Sequence, residues 1–179
     1  MGIKYKQFAG DTNGATAIEF ALFSIPFLFI LIGIIEMGLM FTAATLLQGA
    51  TDDAARLIRT GQAQNSGSAQ TMFEDMLCDK VSIFIPCGQL MYEVIRIDDE
   101  DGFSGASTNA NIAQPQIDAD GNLQIGEFDP GEENSLVLVR AAYRYPLMTP
   151  FIAPFLADNN DGKRLLMSTA IVQNEPYQF

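Results

Sequence analysis

The sequence predicts an α+β protein in which one long N-terminal membrane-spanning helix packs on a small antiparallel β-sheet domain. Residues 20–35 carry no charge and belong to an apolar run of the roughly 20 residues that cross a bilayer core of about 30 Å. Helical periodicity continues well past this run. The C-terminal half then contains several segments rich in Val, Leu, Ile and Tyr, which are typical of strands.

The long helix is assigned to residues 15–61, with the membrane span in its first half at about residues 17–41. Beyond Phe41 the apolar residues recur at spacings of three and four, which predicts one buried face. They are Ala43, Leu46, Leu47, Ala50, Ala54, Leu57 and Ile58. A helix of this length measures roughly 70 Å at 1.5 Å per residue, so its second half must pack on a domain.

Residues 62–179 are predicted to form that domain. The expected elements are an amphipathic helix at Thr71–Phe84, strands at Met91–Asp98, Ser135–Tyr145 and Leu165–Gln173, and a further short strand or ribbon within Ile117–Phe128. Pro146–Leu156 is an apolar connection that must be held by burial or by a partner. Three or four antiparallel strands against the long helix would cover both apolar faces.

Composition excludes several functional classes. The formal net charge is −12, whereas nucleic-acid binding needs a basic surface. The chain has no histidine, which removes the Ser-His and Cys-His nucleophile pairs and the usual zinc ligand sets. We therefore expect no nucleic-acid partner, no cofactor and no enzymatic activity, because the sequence gives no reason to bring two carboxylates into one pocket.

Cys78 and Cys87 follow the predicted span, so their chemistry depends on the side of the membrane on which they lie. Lys4 and Lys6 precede the span, and the positive-inside bias favours a cytoplasmic N-terminus with the C-terminal domain in the periplasm or outside the cell. In that oxidising compartment the two cysteines should form a disulfide. A cytosolic domain would instead carry two free thiols.

Three acidic segments have part of the composition of a calcium site. They are Asp98–Asp101, Asp118–Gly121 and Asp158–Gly162. None has the ligand spacing of a complete EF-hand loop, and Asp and Asn followed by Gly are also common in turns. We expect these segments to bind no metal.

The start of the apolar run has a recognisable spacing. The order Gly14, four small or apolar residues, Glu19, Phe20 resembles the cleavage region of type IV pilin-like precursors, in particular that of tight-adherence (Tad/Flp) pilus subunits. Residues 35–38 and 53–61 are similar to the helix of the TadE-like minor pseudopilins of that system. The resemblance is specific over the long helix and general in the C-terminal half.

This resemblance implies that residues 1–14 are a cytoplasmic prepilin leader. A prepilin peptidase would cut after Gly14 and leave Ala15 as the mature N-terminus. The processed protein would then be a structural component of pilus assembly and adhesion with a pilin-like fold. Its partners would be the inner membrane and other pilus subunits, and it would remain at the base of the pilus or enter the extracellular filament.

The resemblance also assigns Glu19, Phe20 and Glu36 to subunit registration and assembly. Glu19 would pair with the α-amine of a neighbouring Ala15 in an apolar helix bundle, or else it is an interfacial carboxylate. Glu36 would contribute to helix recognition, or else it lies at the opposite membrane interface and reaches headgroup water. The alternative to a pilus component is an unprocessed, membrane-anchored periplasmic binding or adhesion domain.

Overall fold

The computed structural model describes residues 14–97, 115–124, 128–159 and 161–177. The predicted leader, apart from Gly14, and the acidic segment Asp98–Asp101 lie outside these residues. In chain order the elements are α1 (Ala15–Arg59), α2 (Gln62–Asn65), α3 (Ala69–Val81), a 3₁₀ turn (Cys87–Gln89), β1 (Leu90–Ile97), β2 (Leu136–Pro146), α4 (Ala153–Leu156) and β3 (Lys163–Gln173).

The three strands form one antiparallel sheet with β2 in the centre. Leu136 at the start of β2 lies opposite Ile97 on one side and Gln173 on the other. The predicted α+β architecture is therefore confirmed. Within the described residues the expected fourth strand is reduced to two isolated bridges, between Ile117 and Leu123 and between Val94 and Phe128.

The second half of α1 packs against one face of the sheet and against α3. Its buried residues follow the predicted stripe, and most of them are small, so the sheet approaches the helix closely. The stripe consists of Ala43, Leu47, Ala50, Thr51, Ala54, Ala55, Leu57 and Ile58, while Leu46 is half-buried. The facing core residues include Val94, Val137, Val139 and Ala141 of the sheet and Phe73, Leu77 and Val81 of α3.

The first half of α1 carries mostly exposed apolar side chains. In the part of the chain that the structure describes, one helix, Thr16–Arg59, is long and apolar enough to cross a membrane. Its most apolar stretch has none of its residues buried in the protein. This arrangement is that of a single-pass membrane anchor whose helix continues into the core of the domain.

The far end of α1 is closed by Gly61 and by the C-terminal tail. Gly61 has a φ of 71°, and its N–H donates to the Ile58 carbonyl at 3.0 Å. A Cβ at this position would lie 2.5 Å from the Tyr177 ring, so only glycine fits both the conformation and the space. The Glu175 N–H donates to the Arg59 carbonyl at 2.8 Å, which fastens the tail to the helix end.

A disulfide joins Cys78 in α3 to Cys87 in the 3₁₀ turn, with 5.3 Å between the Cα atoms. The predicted disulfide is therefore confirmed. It also accounts for the end of α3 at Val81, three residues before the predicted Phe84. The chain must reverse soon after Cys78 to bring Cys87 back beside it, and the Phe84 and Ile85 N–H groups donate to the Val81 carbonyl in that turn.

Replacing Cys78 and Cys87 together by serine should lower the free energy of unfolding of the domain by about 2–3 kcal/mol, because the unfolded chain loses a short closed loop. Chemical denaturation followed by tyrosine near-ultraviolet circular dichroism measures the change. Reduced wild-type protein is the matched control and should show the same loss. Equal midpoints for oxidised wild type and the double variant would contradict the prediction.

Candidate functional site on the N-terminal helix and the proline loop

The N-terminal end of α1 presents the predicted processing and assembly residues to the surroundings of the molecule. The helix begins at Ala15, directly after Gly14, which is exposed. Glu19 is exposed one helical turn further on, and Phe20 is 75% exposed. The assigned roles of all four residues involve other proteins, and they stay predictions.

Glu36 has a different environment. Only 3% of it is exposed, and each oxygen of its carboxylate accepts a hydrogen bond from the same chain. Oε1 accepts the Met148 N–H at 2.9 Å, and Oε2 accepts the Thr149 hydroxyl at 2.9 Å. Neither alternative drawn from the sequence anticipated these intramolecular bonds, because Thr149 lies 113 residues further along the chain.

The segment that Glu36 holds is residues 147–157, here called the proline loop, which includes α4. It is the apolar connection predicted between β2 and β3. Ile152 is buried against α1 beside Gly33. Its Cδ1 atom lies 3.4 Å from the place where a Cβ at Gly33 would stand. The Phe151 ring contacts the Phe29 ring edge-on, with centroids 6.4 Å apart. The loop is therefore held by burial against the membrane helix and by the Glu36 carboxylate.

Tyr145 lies at the end of β2, near the Glu36 carboxylate. Burial raises the pKa of its hydroxyl above the usual value, and the negative charge of Glu36 raises it further. Among the described residues the hydroxyl has no hydrogen-bond partner. Tyr145 therefore stays neutral beside the carboxylate over the physiological pH range.

Two of the three acidic segments meet around Arg144, a residue that no sequence pattern singled out. Its guanidinium donates to the Asp120 carbonyl and to the Asp161 carboxylate, which joins the two turns. The turn carboxylates also accept backbone N–H groups, as the Asp118 carboxylate does from Asn122 at 2.8 Å. This bond lowers the pKa of Asp118. An arginine thus supplies positive charge between two turns whose oxygens are engaged in turn hydrogen bonds.

The helix that carries Gly14, Glu19 and Glu36 also matches a known family. Residues 14–56 match the family model described as TadE-like protein. This TadE-like segment starts at the predicted processing glycine and extends into the buried stripe of α1. It confirms the resemblance found in the sequence and supports a Tad pilus-associated protein. A search of curated proteins and a search of solved structures gave no significant match.

Glu36→Ala should release the proline loop from α1, because the Met148 N–H and the Thr149 hydroxyl would lose their acceptor in a half-buried position. A fully buried orphaned donor costs about 1–3 kcal/mol, which is an upper bound for each of these two. Hydrogen exchange at the amides of residues 147–157 should accelerate, while exchange in the α1 stripe stays slow. Glu36→Gln is the matched control and keeps an acceptor oxygen, so its loop should exchange more slowly than that of Glu36→Ala. Unchanged exchange in the alanine variant would contradict this role.

Calcium should leave the thermal midpoint of the domain unchanged, because Arg144 already links the turns at residues 118–121 and 158–162. The measurement is a thermal melt with millimolar calcium, and sodium chloride of equal ionic strength is the control. A midpoint that rises with calcium and not with sodium would identify a cation site in the acidic segments.

Proposed function

We propose that this protein is a TadE-like minor pseudopilin that a prepilin peptidase cleaves after Gly14 and that acts structurally in the assembly of a Tad-type pilus. It is the substrate of an enzyme and is not an enzyme itself. Its N-terminus is cytoplasmic, its first helical half crosses the inner membrane, and its C-terminal domain lies in the periplasm or on the extracellular pilus. The disulfide suits that oxidising compartment.

The observation that carries the proposal is the position of the TadE-like match, which begins at Gly14. The bond between Gly14 and Ala15 is the bond that a prepilin peptidase would cut. It lies at the exposed start of α1, and among the described residues other than its chain neighbours no atom lies within 4 Å of the place where a Gly14 Cβ would stand. A peptidase can therefore reach the bond without unfolding the domain.

The exposed first half of α1 supports an assembly role. Its large apolar side chains face lipid in the membrane and would face neighbouring helices in a pilus. Ile18, Phe20, Leu22, Phe23 and Ile25 are all at least 70% exposed. In such a bundle, the new α-amine of one Ala15 would neutralise the Glu19 carboxylate of a staggered neighbour, which sets the register between subunits.

Gly14→Arg and Glu19→Ala should fail at different steps. The arginine places a bulky charge where the peptidase must accept a residue without a side chain, so the precursor should keep its leader. Glu19→Ala should be cleaved, yet it should assemble poorly, because an uncompensated amine among apolar helices costs up to about 3–5 kcal/mol. Mass spectrometry of the N-terminus and recovery of the protein in sheared pilus fractions measure the two steps.

Each variant has a matched control in the same chain. Gly10→Arg adds the same charge four residues upstream of the cut, and its precursor should be cleaved normally. Asp75→Ala removes an exposed carboxylate from α3, and this variant should assemble like wild type. If wild-type protein retains Met1 or Gly2 in cells that have a prepilin peptidase, the proposal is wrong. The anchored periplasmic domain is then the better account.

A further inference from the structure

We propose that the proline loop inserts into the bilayer beside α1, so that the domain rests on the membrane through a second apolar contact. The exposed apolar side chains of the proline loop would contact lipid in the leaflet nearer the domain. The proposal requires only that α1 crosses the membrane, and it does not depend on cleavage or pilus assembly.

The contacts with α1 fix the depth of the loop. If the apolar run enters the bilayer at Ile18, a rise of 1.5 Å per residue places Phe29 about 17 Å and Glu36 about 27 Å along the helix. A bilayer core is about 30 Å thick. Phe29 and Glu36 therefore lie within the half of the core nearer the domain. Because the loop packs on α1 from Phe29 to Glu36, the loop lies at that depth too.

The outer surface of the loop has the chemistry of a membrane-inserted segment. Met148, Phe151 and Phe155 are 69%, 73% and 82% exposed. An exposed apolar patch marks a contact with a membrane or with another protein, and the position of this patch beside the exposed apolar surface of α1 favours lipid. Lys163 lines the same groove as Pro150 and Pro154 and can extend its ammonium group to the headgroups.

Part of the backbone of the loop meets the requirement that hydrocarbon imposes on non-helical segments, namely that polar groups be satisfied within the protein. Pro150 and Pro154 have no N–H group. Several of the other N–H groups donate within the chain, and Glu36 supplies an acceptor for Met148 that water would otherwise have to provide. These hydrogen bonds measure 2.9–3.0 Å. With the N–H donor named first, they join Leu147 and Gly162, Met148 and Glu36, Ile152 and Thr149, Ala153 and Thr149, and Phe155 and Ile152.

The two carboxylates of the turn after the loop are paired with arginines on the side of the domain. Arg164 forms an ion pair with Asp158 at 3.1 Å, and its guanidinium also donates to the Leu156 carbonyl at the end of α4. Asp161 pairs with Arg144. The acidic turn after the loop therefore meets the headgroup region with its carboxylates neutralised, which lowers the cost of bringing it to the membrane surface.

Tryptophan fluorescence tests the insertion directly, because the chain contains no tryptophan. Phe151→Trp and Phe155→Trp are made separately in the full chain and reconstituted into phosphatidylcholine vesicles. Quenching by lipids brominated on the acyl chain is compared with quenching by iodide present on both sides of the membrane. Phe23→Trp in the span is the membrane reference.

Phe84→Trp is the aqueous control. Phe84 follows α3, and Lys80 of α3 pairs with Asp53 of α1 at 3.0 Å. Asp53 lies about 25 Å further along α1 than Glu36, on the side away from the membrane. Phe84 is 41% exposed, so a tryptophan there reports on water.

We expect the Phe151 and Phe155 variants to lose as large a fraction of their emission to brominated lipid as the Phe23 variant, and to resist iodide. The Phe84 variant should behave in the opposite way. Quenching of both loop variants by iodide and not by brominated lipid would overturn the proposal. Quenching by neither agent would also overturn it, because the loop would then be covered by protein, such as a second copy of this chain.

Discussion

The hydrogen bonds accepted by Glu36 are the interaction on which the arrangement of this molecule depends. A carboxylate that is removed from water is costly unless donors replace the lost hydration, and here the Met148 N–H and the Thr149 hydroxyl do so. The same bonds fix the start of the long β2–β3 connection against α1. One side chain therefore connects the membrane helix to the sheet at the level where the domain begins.

The composition of α1 divides it into two halves with different surroundings. Up to Met37 its large apolar side chains are exposed, which suits lipid or neighbouring helices, whereas Leu39 and Met40 are half-buried against the core. From Ala43 onwards alanines make up half of the buried residues on the inward face, and the domain covers them. Large side chains on the inward face would hold the sheet further away, and small ones in the first half would give lipid little apolar surface. The change of side-chain size along one helix thus places the boundary between membrane and domain.

Features that depend on local sequence could be predicted, and features that depend on distant residues could not. Periodicity predicted α1 from Ala15 to within two residues of its end, and residue type predicted the three strands to within two residues at each end. The disulfide could also be predicted, since it joins cysteines nine positions apart. The bonds from Glu36 to the proline loop and from Arg144 to two turns join segments whose pairing no periodicity encodes. For Glu36, the available signal was a lone carboxylate near the end of an apolar run.

The long packing contact of α1 with the domain has a mechanical consequence. Between Ala43 and Ile58 the helix lies against its partners over about 22 Å, and beyond that the C-terminal tail is bonded to the helix end. A pulling force on the N-terminal half would act along this contact in shear, so all of the buried side chains would bear the load together. A helix attached only at its tip would instead be peeled away one contact at a time. The shape of the chain is therefore that of a tether that resists extraction under tension.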